Sequence, residues 1–151
     1  MNKELTYEKA GVNIDIADAA KQEMSNYLTT ADSRVISKLG TFASLFEAKF
    51  PGIEHPVIVL KSEEPGSKQL LAIKYDRIQG IGYDLVNHLI NDIIVMGAKP
   101  LAVLDTIICG KLEKQVIVEI VKSISQACKG QGCSLVGGET SEQPGVLSPG
   151  I

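Results

Sequence analysis

The sequence predicts an α+β fold: a mixed β-sheet with helices packed on one face, in the order strand, strand, helix, strand, helix, strand. Three observations lead there. Residues 82–97 carry apolar side chains at helical spacing and stop at Gly97. Residues 101–109 form an almost unbroken apolar run, as a strand covered on both faces does. Residues 113–129 return to helical spacing and lead into a short apolar segment that ends at Gly137-Gly138.

Taken in order, residues 1–55 read as an N-terminal arm with short helices, and residues 56–151 as an α+β domain, which the resemblance described below implies to be of ATP-binding type. Tyr7 to Ile16 mixes small, polar and charged residues and reads as an extended arm, and Asp18 to Leu28 as a short helix. In the segment from Gly40, the residues Phe42, Leu45, Phe46 and Phe50 stand at helical spacing before the breaker Pro51-Gly52. Val57 to Leu60 reads as a strand, Glu64-Pro65-Gly66-Ser67 as a turn, and Gln69 to Tyr75 as a second strand. In the helix over 82–97, Leu85, Val86, Leu89, Ile90, Ile93 and Ile94 share one face; Asp84, Asn87, His88 and Asn91 share the other. The helix over 113–129 turns Val116, Ile117, Ile120, Val121, Ile124 and Cys128 inward. Gly130 and Gly132 close it, and Cys133 to Val136 forms the last strand.

Composition narrows the function classes. A chain of 151 residues, 44% of them hydrophobic, is long enough to bury a core without metal or disulfide staples. A net charge of −3 and the absence of Trp argue against a general nucleic-acid binder. Cys109, Cys128 and Cys133 are odd in number and form no C-x-x-C pair, which suits reduced, buried thiols. The apolar stretch from Leu89 to Cys109 is broken by Asn91, Asp92, Lys99, Pro100 and Asp105, a pattern that a bilayer span does not tolerate. With no apolar leader core at the N-terminus, a soluble cytoplasmic protein is expected.

Four places could carry chemistry. Gly137-Gly138-Glu139-Thr140 follows a strand; adjacent glycines let backbone N–H groups approach an anion, and a carboxylate beyond them can hold the divalent ion that the anion also binds. A tight turn with a solvated Glu is the other reading. Asn91-Asp92 beside His88 and Asp84 marks either a metal or substrate site or a solvated helix face. Asp105 interrupts an apolar run, so its carboxylate is either matched in the interior or placed where the strand reaches water. The loop Ser62-Glu-Glu-Pro-Gly-Ser-Lys68 combines carboxylates, a glycine and a lysine, as phosphate and Mg²⁺ contacts do and as any solvated hairpin does. It is not a Walker A loop, and Gly80-Ile-Gly82 is only a fragment of a dinucleotide fingerprint.

Several strings, in the same order, resemble one family. They are Tyr7-Glu-Lys-Ala-Gly-Val-Asn-Ile-Asp15, Gly82-Tyr-Asp-Leu-Val86, Asn91-Asp-Ile-Ile-Val-Met-Gly-Ala-Lys-Pro100, Gly110-Lys-Leu112, Cys133-Ser-Leu-Val-Gly-Gly-Glu-Thr140 and Pro144-Gly145. Together they resemble the N-terminal domain of aminoimidazole ribonucleotide synthetase, also called phosphoribosylformylglycinamidine cyclo-ligase, of purine biosynthesis. The resemblance implies an ATP- and Mg²⁺-dependent ring closure, in which the protein positions the triphosphate, neutralises its charge and excludes water. It implies that Glu63, Asp92 and Glu139 are metal-linked carboxylates and that Asn91 orients beside them. It implies that Gly137, Gly138 and Thr140 shape a phosphate pocket, with Gly66, Ser67 and Lys68 in the loop that meets the nucleotide. It also implies a homodimer formed through the free sheet face, with nucleotide sites near the interface, a small-molecule nucleotide substrate, and no nucleic-acid or membrane partner. No catalytic residue is assigned.

The chain departs from the family in places. Glu63 stands for a metal-binding Asp, carrying its carboxylate farther by roughly a C–C bond, a shift of the size that matters in active sites. Glu64 and Pro65 replace a flexible Gly and a small apolar residue; Gly40 to Phe46 holds fewer glycines than the family's loop; Ser25 stands where a lysine is expected. The family's second domain, which supplies part of the active site, is expected to be absent, leaving this chain inactive by itself. The alternatives are a non-catalytic paralogue and another ATP phosphotransferase of the same superfamily.

Overall fold

Among the described residues, four α-helices and two strands follow one another as α1 (Ile14–Met24), α2 (Lys68–Lys74), α3 (Gln79–Ile94), β1 (Ala102–Cys109), α4 (Lys114–Gly130) and β2 (Ser134–Glu142). The computed structural model describes residues 5–28, 32–37 and 41–147. The core is built around α4. Its Val121, Ile124, Ala127 and Cys128 pack with Val86 and Ile90 of α3 and with Val103 and Leu135 of the strands. At Gly82 the two helices touch closely enough that a Cβ would lie 2.4 Å from the Ile124 backbone nitrogen. A second cluster joins Ala20 of α1 to Cys109, Leu112 and Ile117. Asn13 starts α1, its side-chain oxygen accepting the Ile16 N–H at 3.0 Å.

Strands β1 and β2 pair in parallel, joined through α4 as a β-α-β unit. Ala102 and Val103 stand opposite Ser134 and Leu135, and Leu104 stands opposite Gly137, so Val136 is an extra residue at a bulge. The Ser44 hydroxyl donates to the Val136 carbonyl at 2.6 Å, satisfying a group beside the irregular step in the ladder.

The α+β expectation holds, with helices on one face of a sheet. Several of its elements need correction. β1 is covered on one face only: Val103, Asp105 and Cys109 are buried while Leu104 and Ile108 are exposed. β2 does not stop at Gly137-Gly138 but runs through them to Glu142. Gln69 to Tyr75 is not a strand, since residues Lys68–Lys74 are helical; a short apolar run fits either period. Val57 to Leu60 joins no ladder among the described residues, and everything from Pro51 to Leu60 is exposed. Residues 8–10 form a 3₁₀ turn and α1 already begins at Ile14, so the arm is not extended throughout. Residues 42–50 form no helix. Instead Phe46 bridges to Val35, and Phe46 and Phe50 gather under the Arg34 guanidinium at 4.9 and 5.0 Å. Gly40, where that helical segment was expected to start, lies outside the described residues, as does the tail from Ser148.

Candidate functional site

The polar face of α3 carries Asp84, His88 and Asp92 at four-residue steps, so the three side chains line up along the helix. The loop 61–68 runs along this line in the opposite direction. At one end Lys61 Nζ lies 2.8 Å from both Glu63 Oε2 and Asp92 Oδ2. In the middle His88 Nδ1 lies 3.3 Å from the Glu64 carbonyl oxygen. At the other end Lys68 Nζ lies 3.0 Å from Asp84 Oδ1. Gly66 makes the turn with φ +76°, where a Cβ would be strained.

Charge at the first end is tightly matched. The Lys61 ammonium holds the Asp92 carboxyl below the usual carboxylate range by its hydrogen bond, and that of Glu63 likewise, with the Glu64 N–H contributing. In return Asp92, then Glu63, hold Lys61 above its ordinary value. One ligand atom each from Glu63, His88 and Asp92 lie within 4.8 Å of one another. The arrangement can present two carboxylates and an imidazole to a cation. As it stands, an ammonium bridges both carboxylates.

The other expected residues lie on different elements. Asn91 is exposed on α3, next to Asp92. Ser67 precedes α2 without capping it through its side chain. Gly137 and Gly138 are paired within β2, opposite Leu104 and Asp105. Their lack of side chains has a packing reason. A Cβ on Gly138 would fall 2.2 Å from the Asp105 carbonyl oxygen, and one on Gly137 would fall 2.9 Å from Ser44 Oγ. Asp105 is thus an interior carboxylate beside a glycine, 7% exposed, and burial pushes it up to about 6.

Glu139 is exposed, its Oε1 accepting the Thr140 N–H at 3.0 Å, and it is outside the Glu63–His88–Asp92 group. Thr140 and Glu142 line a partly open cavity of about 370 Å³ together with Tyr7, Val12, Met24 and Leu112. Within it Glu142 Oε1 accepts the Leu112 N–H at 2.7 Å. The structure therefore brings Glu63 and Asp92 together and leaves Glu139 apart from them. Lys61 was not anticipated, and His88 was raised only as a neighbour of Asn91-Asp92. The spacing 84, 88, 92 was a usable signal for the histidine; nothing local in the sequence marks Lys61.

Residues 54–151 match the family described as AIR synthase related protein, N-terminal domain. The chain is also 42% identical over 143 residues to proteins named phosphoribosylformylglycinamidine cyclo-ligase from Bacillus thuringiensis (strain Al Hakam), Bacillus mycoides (strain KBAB4) and Bacillus cereus (strain B4264). In each case the match covers 94% of this chain and 41% of the relative. No helix among the described residues is long and apolar enough to cross a membrane. With the family's model covering the whole β-α-β unit and the loop docked on α3, the chain belongs to the AIR synthase family, in its N-terminal domain.

Proposed function

We propose that this chain is the nucleotide-binding, dimer-forming N-terminal domain of a cyclo-ligase of purine biosynthesis, acting on phosphoribosylformylglycinamidine with ATP and Mg²⁺. The identity to proteins of that name along nearly the whole chain carries this reading. Lys68 supports it. Its ammonium is exposed and, among the described residues, pairs with the half-exposed Asp84; such pairs are worth little, so exchanging Asp84 for a phosphate costs little. Gly66 and Ser67 would present the loop to the phosphates, with Asn91, Gly137, Gly138 and Thr140 on the neighbouring elements. Mg²⁺ would neutralise phosphate charge. Glu139, an exposed carboxylate, is the side chain proposed to face it. Glu63 and Asp92, implied metal carboxylates, do not fit a divalent ion while Lys61 lies 2.8 Å from each, so no step is routed through a metal there.

The homodimer is proposed to form over the uncovered sheet face. Leu104 and Ile108 are exposed there, and Val57 to Leu60 are exposed as well, apolar surface that a second copy would cover. Three free, buried cysteines suit a cytoplasmic setting. Titration calorimetry with MgATP and light scattering test the reading together: binding and a dimer are expected. A monomer that binds no MgATP at millimolar concentration would overturn it. Lys61 favours one second reading, a non-catalytic binding or assembly module; a dimer that takes up no MgATP is its signature.

A further inference from the structure

Exposed acidic groups often come together with no ion between them. What distinguishes Glu63, His88 and Asp92 is the ammonium seated between the two carboxylates. Lys61 Nζ is 2.8 Å from an oxygen of each, using two of its three donors, and its side chain is only 34% exposed. The same two carboxylates and the His88 ring offer donor atoms within 4.8 Å of one another, the reach of a single metal ion. We propose that Lys61 is a tethered monovalent cation holding the divalent-ion position among Glu63, His88 and Asp92, so that this carboxylate pair works without a metal.

A free ion entering this position must displace an ammonium that cannot diffuse away, and must break two charge-assisted hydrogen bonds. Removing the ammonium leaves two carboxylates and an imidazole, a donor set that suits Mn²⁺, Co²⁺ or Zn²⁺ better than Mg²⁺, which prefers oxygen ligands. Lys61 is therefore both the counter-ion of the pair and its guard against transition metals. This assignment concerns the loop invoked for the nucleotide, but it requires no nucleotide to bind.

Titration of the whole chain with Mn²⁺ alone, with free Mn²⁺ read by electron paramagnetic resonance, tests it. The wild-type chain is expected to bind Mn²⁺ weakly. Lys61→Met is expected to bind one equivalent roughly tenfold or more tightly, the scale on which groups around a metal change its affinity. Asp92→Asn in the Lys61→Met background should return binding to the wild-type level, and His88→Ala in that background should weaken it. Wild-type binding as tight as that of Lys61→Met overturns the proposal. So does a folded Lys61→Met with no gain. Circular dichroism reports the fold, and Lys61→Gln, neutral but still polar, supplies the same comparison if Lys61→Met misfolds. A separate MgATP titration keeps the two readings apart: lost nucleotide binding with the Mn²⁺ gain intact overturns only the nucleotide reading, and the reverse overturns only this one.

Discussion

Residues 51–60 and residues 101–109 are both rich in branched apolar side chains, yet they end in opposite states. In β1, Val103 and Cys109 are buried against the helices and every residue has a partner in β2. In the earlier segment, Val57 and Leu60 are 86% and 88% exposed and no ladder forms among the described residues. Both segments have strand-like composition; only one finds a neighbour. A strand is a relation between two segments, and an apolar run specifies its own half of it.

The largest expected break in this contrast is at the buried end. Leu135→Ala should cost roughly 2–5 kcal/mol in urea unfolding, because the side chain is fully enclosed among α3, α4 and β1. Asp105 gives the next effect. Burial raises it from 3.8 to about 6, so the folded chain keeps a proton that the unfolded chain has released. Stability should accordingly fall as pH rises through that interval and be lower by about 3 kcal/mol at neutral pH than below it. Asp105→Asn should flatten this slope in a series of melts at different pH. Ser44→Ala, which removes the donor to the Val136 carbonyl, should cost about 1 kcal/mol. Leu60→Ala should change the stability of a monomer by less than about 0.5 kcal/mol. If its effect grows with protein concentration, a second copy covers the segment and the contrast between the two regions disappears in the assembly.

The same contrast explains what could be read from the sequence. Elements α3 and α4 were legible because each states its buried face in its own periodicity, Val86 and Ile90 in one and Val121 and Ile124 in the other; β1 was legible as a strand from its apolar run, but that unbroken run hid which face is covered. Gln69 to Tyr75 was misread because seven residues with a central apolar run fit both periods, and α2 is a short helix with no buried residue to fix its phase. The aromatic residues at 42, 46 and 50 mimic a helix, but two of them answer to Arg34. At the site, Asp92 and Glu63 could be named from the resemblance, whereas Lys61 could not. Its meeting with Asp92 joins residues 31 positions apart, and no local pattern records it.

The bulge at Val136 has a consequence for the chemistry of the strand's far half. Side chains alternate across a sheet, so one added residue reverses the parity of everything after it. Leu135 is level with the buried Val103, but beyond the bulge Glu139 is level with the exposed Thr106, and Thr140 with the half-buried Ile107. Were Val136 paired regularly with Leu104 instead of bulging, Glu139 would stand level with Ile107 and drive its charge toward the helices, while Thr140 would stand level with the exposed Ile108 and be turned out to solvent. The insertion acts as a selector: by miscounting once, the strand offers its carboxylate to water and keeps its threonine for the cavity.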